Sequence, residues 1–281
     1  MIRVTVLAAT GQLGQALLQR LARADAKVIA VGRDQAKLGT LPPGIETRVA
    51  DLADPAALAA ALADAEIVVS CTNARFAPAI LAALPSQGVR RLVLMGSTRC
   101  FSQVPDATAA AVRAAAAALA DCPMPSVLLL ATLIYGGESG VIERLARQIR
   151  RFPVLPLPGA GALVQPIHLD DVAACLEAAM LRDEAPGAPI VIAGPRAMPY
   201  GRMVREVARA RRLRLFLLPV PGAVIGPAAR LARRIGPLAA VAGSVLRLLE
   251  DKAFDIAPMR TRLGVEPREF APEAPIGATE A

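Results

Sequence analysis

Apolar and polar positions along this 281-residue chain follow two alternating rhythms. Short apolar runs predict strands at 2–9 (IRVTVLAA), 27–32, 45–51, 66–72, 90–97 and within 125–136. Helical periods lie between them: at 11–25, near 33–38, at 54–65, from 77 to 88, and at 107–119, ATAAAVRAAAAAL. Asp54 precedes Pro55 and is the expected N-cap of its helix. Strict alternation of this kind predicts an α/β fold, a doubly wound parallel sheet with helices on both faces.

Beyond residue 137 the rhythm changes. A helix is expected at VIERLARQIRRF, then a proline- and glycine-rich stretch, PVLPLPGAGALVQP. A second helix opens at DDVAACLEAAML with Asp170 or Asp171 as N-cap, and a short strand returns near 189–193. A third helix runs through YGRMVREVARARR, and the chain from LRLFLLPVPG onward is helical with breaks. This divides the chain into a nucleotide-binding unit at 1–136, a smaller and mainly helical lobe at 137–270, and a tail at 271–281 expected to be disordered.

Composition narrows the functional classes. The hydrophobic fraction is 54% with 3% aromatics, so the core is built from Ala, Val, Leu and Ile, which suits buried parallel strands. The first residues lack a basic stretch followed by an apolar segment, and no apolar run reaches the ~18 residues of a spanning helix, so the chain reads as cytoplasmic. Four scattered cysteines and a single histidine, His168, fit reduced thiols and exclude the usual metal sites. Arg99 beside Cys100 could lower its thiol pKa, but no second catalytic element accompanies it and it reads as an ordinary thiol.

The net charge is +8, and nine arginines against one acid, Glu206, lie between Arg202 and Arg234. This basic face is either simply solvated or the contact for a membrane surface or partner protein. Nucleic acid is excluded as a partner, because neither stacking aromatics nor a recognition motif accompanies the charge.

The first strand runs into a tight turn and then a helix in VTVLAATGQLGQALLQRL. Ala8, Gly11 and Gly14 hold the three positions of a G-x-x-G-x-x-G loop, with Thr10, Gln12 and Leu13 among them. Such a loop lets backbone approach a pyrophosphate, lets the helix pack close to the strand, and offers oriented N–H donors. Ala8 in the first glycine's place is a minor departure if the backbone there needs no positive φ. At the end of the second strand an acid would hold the ribose hydroxyls of NAD. Arg33 stands there instead, with Lys37 one turn on, which favours the 2′-phosphate of NADP(H) and leaves NAD(H) as the alternative. Asp34 is expected to cap the next helix rather than bind ribose.

These segments, with VADLADPAALAAAL, RRLVLMGSTR, TLIYGGESGVIERLARQIRRFPVLPLPGAGALVQPIHLDDVAACL, VIAGPRAMPYGRMV and LGVEPREF, resemble an atypical extended short-chain dehydrogenase/reductase of the nucleoside-diphosphate-sugar epimerase type. The middle block and LLPVPGAV…VLRLLEDKAFD are also similar to the branch of the 39-kDa accessory subunit of respiratory complex I. The resemblance implies a Rossmann fold. It implies that Asp51 and Leu52 lie beside adenine, and that Ser70, Cys71 and Thr72 line the nicotinamide side. Ser97 matches the family's catalytic serine or threonine, or else caps the strand end.

The chain departs from the family where chemistry is concentrated. Catalytic members carry Tyr-x-x-x-Lys on the helix after the fifth strand, the lysine lowering the tyrosine pKa for proton transfer. Here PDATAAAVRAAAAAL carries neither, and Arg113 stays protonated and is no acid–base. The Arg-Pro pair expected after the sixth strand is also missing. Tyr135 and His168 are candidate substitutes for the proton donor, each with a packing or capping role as the alternative. The residues leave two readings open. One is an NADP(H)-dependent oxidoreductase or epimerase-like enzyme taking a carbonyl compound or nucleotide-sugar in the cleft between the lobes. The other is a non-catalytic dinucleotide-binding module, structural or redox-sensing, in the manner of an accessory protein of a membrane-associated complex.

Overall fold

The computed structural model describes residues 2–24, 26–137, 140–181, 189–233 and 238–272. The first half alternates as its pattern predicts: β1 (Ile2–Leu7), α1 (Gln12–Leu21), β2 (Ala26–Gly32), α2 (Gln35–Leu38), β3 (Glu46–Val49), α3 (Pro55–Leu62), β4 (Ile67–Ser70), α4 (Ala77–Ala83), β5 (Arg91–Ser97), α5 (Ala107–Ala120) and β6 (Ser126–Ala131). The second half contributes β7 (Ile134–Tyr135), α6 (Val141–Arg151), β8 (Val154–Pro158), β9 (Leu163–Val164), β10 (Ile167–His168), α7 (Leu169–Leu181), β11 (Ile190–Ile192), β12 (Met198–Pro199), α8 (Tyr200–Ala210), β13 (Phe216–Val220), α9 (Gly222–Ala232) and α10 (Ala239–Leu248).

Seven strands form one parallel sheet in the order β11-β6-β5-β4-β1-β2-β3. The order reverses between β1 and β4, and the crevice at the carboxyl ends of those two strands is where a sheet of this kind takes its ligand. The chain returns after β10 to add β11 beside β6, in register Ile190 with Leu129. One core joins α1 and α7 to one face of the sheet through Leu17, Leu21, Val172 and Leu176. The other joins α3, α4 and α5 to the opposite face through Leu58, Leu62, Ile80 and Val112. A third, around Tyr135, Ile149, Leu157 and Val204, packs β7, α6, β8 and α8 together.

Local chemistry explains most of the boundaries. The Asp54 carboxylate accepts from the N–H groups of Ala56 and Ala57 at 3.0 and 3.2 Å, so α3 starts as expected. Asp34 accepts from Lys37 N–H at 3.2 Å and caps α2. The helix expected over 77–88 stops at Ala83 because Leu84, which precedes Pro85, is held extended with ψ 137°.

At α7 the expectation fails. The helix starts at Leu169, and His168 Nδ1, not an aspartate, accepts from Asp170 N–H at 3.2 Å. Asp171 is buried and receives Arg268 instead. At the start of the expected tail, Ala271 N–H donates to the Tyr135 hydroxyl at 3.4 Å, while residues 273–281 lie outside those described. Among the described residues no helix is long and apolar enough to cross a membrane.

Candidate functional site

Two cavities open at the carboxyl ends of β1, β2, β4 and β5. The first, about 360 Å³, is lined by Ala8, Thr10, Gly11, Arg33, Asp51 and Leu52, and on its far wall by Cys71, Thr72, Arg75 and Phe76. The second, about 340 Å³, is lined by Leu13, Cys71, Thr72, Asn73, Met95, Ser97, Val112 and Ile134. They share Cys71 and Thr72, so the pair makes one elongated groove across the point where strand order reverses.

The loop between β1 and α1 forms the floor. Gly11 N–H donates to the Ala8 carbonyl at 3.1 Å, and Gly11 precedes the first turn of α1 with extended backbone. No side chain caps α1, and its first turn holds no acid, so the positive end of the helix is left for an anion. A Cβ at Gly14 would lie 2.6 Å from the carbonyl oxygens of both Ala8 and Ala9, which fixes glycine there for close packing of helix on strand. Ala8 corrects one expectation. Its φ is +58°, so the first position does adopt the left-handed conformation, and alanine is strained where glycine would not be.

The cations at the first cavity are Arg33 and Arg75. Sequence reasoning does not single out Arg75. It sits on a 3₁₀ turn, Ala74–Phe76, started by the Asn73 carboxamide, and its guanidinium stacks 4.6 Å from the Phe76 ring centroid. The only available signal is an Arg-Phe pair three residues after Thr72, which no period marks. Lys37 does not line the groove; its ammonium lies 4.0 Å from Asp34 and is exposed. Asp51 does line it, with one carboxylate oxygen accepting Ala53 N–H at 2.9 Å.

At the second cavity Ser97 ends β5, and its hydroxyl accepts Arg99 N–H at 3.3 Å, so it caps a 3₁₀ turn while facing the groove. Val112 is the α5 residue on the wall, and Ala116, one turn further, is partly buried against the same core. Arg113 is exposed on another face of the helix and donates to the Cys100 carbonyl at 2.9 Å. Burial pushes the Cys71 thiol up to about 12, so the group shared by both cavities stays a neutral thiol. Burial also raises the Cys100 thiol, outweighing the Arg113 charge, so the lowered pKa that Arg99 could have given it is not found and Cys100 is an ordinary thiol.

The remaining candidates stand apart from the groove lining. Ser70 is buried within the sheet. Gln12 lies against Gly137. Along β7 successive side chains point to opposite faces, which sends Ile134 to the second cavity and Tyr135 into the core around Ile149 and Val204. The Tyr135 hydroxyl donates to the Glu269 carbonyl at 3.2 Å, and its ring meets His168 and Phe270 edge-on at 5.1 and 4.8 Å. His168 is buried beside it in the β7–β10 pair. Among the described residues no group of three or more His, Cys, Asp or Glu side chains is placed to hold a metal.

The parallel sheet with helices on both faces and a groove at its switch point is a Rossmann-like fold. Residues 8–122 match the model of a family described as NAD(P)H-binding. The fold is similar to that of solved epimerase and reductase structures. It superposes on gox2253 with a TM-score of 0.77 at 16% identity, covering 95% of this chain and 93% of that one. It superposes on the NADPH-dependent quinone oxidoreductase QOR2 of Escherichia coli, complexed with NADPH, with a TM-score of 0.71 at 20% identity, covering 96% of each chain. MoeE5 in complex with UDP-glucose and NAD gives a TM-score of 0.69 at 20% identity, covering 95% and 94%. Uncharacterized proteins of Mycobacterium bovis and Mycobacterium tuberculosis are 24% identical over 284 residues, covering 97% of this chain. The chain spans 29% of the length of those relatives.

Proposed function

We propose that the protein is an NAD(P)-binding, epimerase- and reductase-like oxidoreductase that prefers NADP(H) and works without the Tyr-x-x-x-Lys pair. The observation that carries the reading is the single groove over the uncapped start of α1, with Arg33 and Arg75 at one end and Ser97 at the other. Gly11, Thr10 and the start of α1 would hold the pyrophosphate. Arg33 and Arg75 would hold the adenosine 2′-phosphate, and Leu13, Thr72 and Ser97 the nicotinamide half. A bound nicotinamide supplies a hydride to, or accepts one from, a carbonyl or alcohol carbon.

The rest of the chemistry falls to the chain. Val112 and Ala116 offer no proton, so any donor is the Ser97 hydroxyl or water. Tyr135 and His168 are read as packing groups of the smaller lobe. The second cavity is apolar apart from Asn73, Thr72 and Ser97, which suits a small carbonyl compound. MoeE5, with UDP-glucose, keeps a nucleotide-sugar open as the alternative substrate.

A second reading, a binding module without turnover, is favoured by the same Val112 and Ala116. Titration calorimetry with NADPH and NADH, together with an assay of carbonyl-dependent NADPH consumption, separates the two. Tight NADPH binding with Ser97-dependent turnover is expected for the enzyme, and binding without turnover for the module. No heat with either nucleotide defeats both.

A further inference from the structure

Strands β8 and β13 pair in parallel, Phe216 beside Val154 and Leu218 beside Pro156, and make a small sheet of their own. Its inner face is ordinary: Leu155 and Leu157 are buried, and Leu213, Leu215 and Leu217 pack against the same core. Its outer face is not. Strand alternation turns Val154, Pro156, Phe216 and Leu218 outward, where a half-solvated sheet would carry polar residues. Phe216 is 70% exposed and Val154 54%. Among the described residues nothing packs over them. Phe152, before the sheet, is 56% exposed, and Val224 and Leu231, seven apart on α9, are exposed at 68% and 64%. An exposed apolar row that runs across two paired strands marks a contact site rather than scattered exposure.

The rim of this face is basic. A shallow depression of about 400 Å³ between α8 and β13 is walled by Arg205 and Arg209 and floored by Leu213, Leu215 and Leu217, with Phe216 at its edge. Arg202 and Arg211 are paired with Glu206 and Glu143. Arg205, Arg209 and Arg214 enter no ion pair among the described residues. The Arg151 guanidinium lies over the Phe152 ring.

We propose that this face docks on the surface of an anionic lipid bilayer, with Phe216, Leu218 and Val154 entering the headgroup–acyl boundary and Arg205, Arg209 and Arg214 meeting lipid phosphates. Charge complementarity selects the occupant. Guanidinium groups bordering an exposed apolar row match a surface whose outer layer is anionic and whose next layer is hydrocarbon. An acidic peptide would answer the arginines and leave the Phe216 row in water. The contact is peripheral, since no described helix is long and apolar enough to cross a membrane. It is independent of any nucleotide in the groove.

The test is co-sedimentation of the full chain with vesicles of phosphatidylcholine alone or mixed with phosphatidylglycerol. Retention is expected only on the mixed vesicles and is expected to fall with salt as the phosphates are screened. Arg205→Gln with Arg209→Gln should lower the partition coefficient about thirtyfold. Phe216→Asp should abolish retention. Unchanged melting and unchanged dinucleotide binding show that these variants fold. The proposal is overturned by no retention on mixed vesicles at low salt, by equal retention on both vesicle types, or by folded variants that partition like the parent. Capture by immobilised polyglutamate without vesicle binding would likewise overturn it, assigning the face to an acidic protein.

Discussion

The carbonyl oxygen of Ala8 lies 2.6 Å from the point where a Cβ on Gly14 would stand. The oxygen is a backbone atom and a Cβ is placed by its own backbone, so neither yields by a rotamer change. Gly14→Ala is expected to push α1 off β1, lowering stability by about 2 kcal/mol and dinucleotide affinity with it. Chemical denaturation and calorimetry on the same variant measure both; a variant that matched the parent in each would contradict the close approach.

Ala8 itself makes the opposite prediction. Its φ of +58° costs an L-residue on the order of 1 kcal/mol, a strain that glycine escapes. Part of the gain is offset by the greater freedom of glycine in the unfolded chain. Ala8→Gly should therefore raise stability by up to about 1 kcal/mol, visible as a higher denaturation midpoint at an unchanged slope.

Arg33 and Arg75 line the same cavity from opposite sides of the groove. If they hold a 2′-phosphate, Arg33→Ala and Arg75→Ala each weaken NADPH binding about tenfold, the worth of one hydrogen bond to a charged group, while NADH binding is unchanged. Equal losses for both nucleotides would move the guanidinium groups to the pyrophosphate.

Asp171, at the start of α7, ties the last described segment to the fold. Its oxygens accept Arg268 N–H and Nε–H, each at 3.0 Å, and its side chain is 8% exposed. Asp171→Ala is expected to cost about 2 kcal/mol and to expose the chain near Phe270 to proteolysis, because the Tyr135–Phe270 contact depends on that anchoring. Unaltered cleavage kinetics would show that the segment is held by other means.

At the far edge of the sheet Arg48 joins Glu46 on β3 to Asp64 beyond α3, at 2.6 Å to each. Lys27, then Arg48, holds the Glu46 carboxyl below the ordinary value, and Arg48 does the same for Asp64. A carboxylate whose pKa is depressed by folding contributes stability that is present above its unfolded value and lost as pH falls through its folded value. The contribution is therefore expected to be whole at neutral pH and to disappear below about pH 4. Arg48→Gln should flatten the acid limb of the stability–pH curve, and added salt should mimic the effect, since the groups are partly exposed.

Much of this molecule can be read from local pattern. Apolar period, Pro55 and the Asp54 and Asp34 caps act within a few residues, so the order of elements, the parallel sheet and the glycine loop at Gly11 and Gly14 were all legible along the chain. What the same pattern could not decide were matters of facing and environment. Ile134 and Tyr135 are neighbours of similar hydrophobic character, yet the packing of β7 beside β10 sends one to the groove and the other to Glu269 and Phe270. Arg75 joins Arg33 only because the turn after β4 brings together residues far apart in the chain.

The sequence by itself determined the fold and the glycine turn that floors the groove, because hydrogen-bonding period and turn chemistry are short-range. Only the tertiary structure decided the strain at Ala8, the raised thiol of Cys100 and the walls of the groove. Backbone conformation at a crowded turn, desolvation and side-chain direction are all set by atoms contributed from distant parts of the chain.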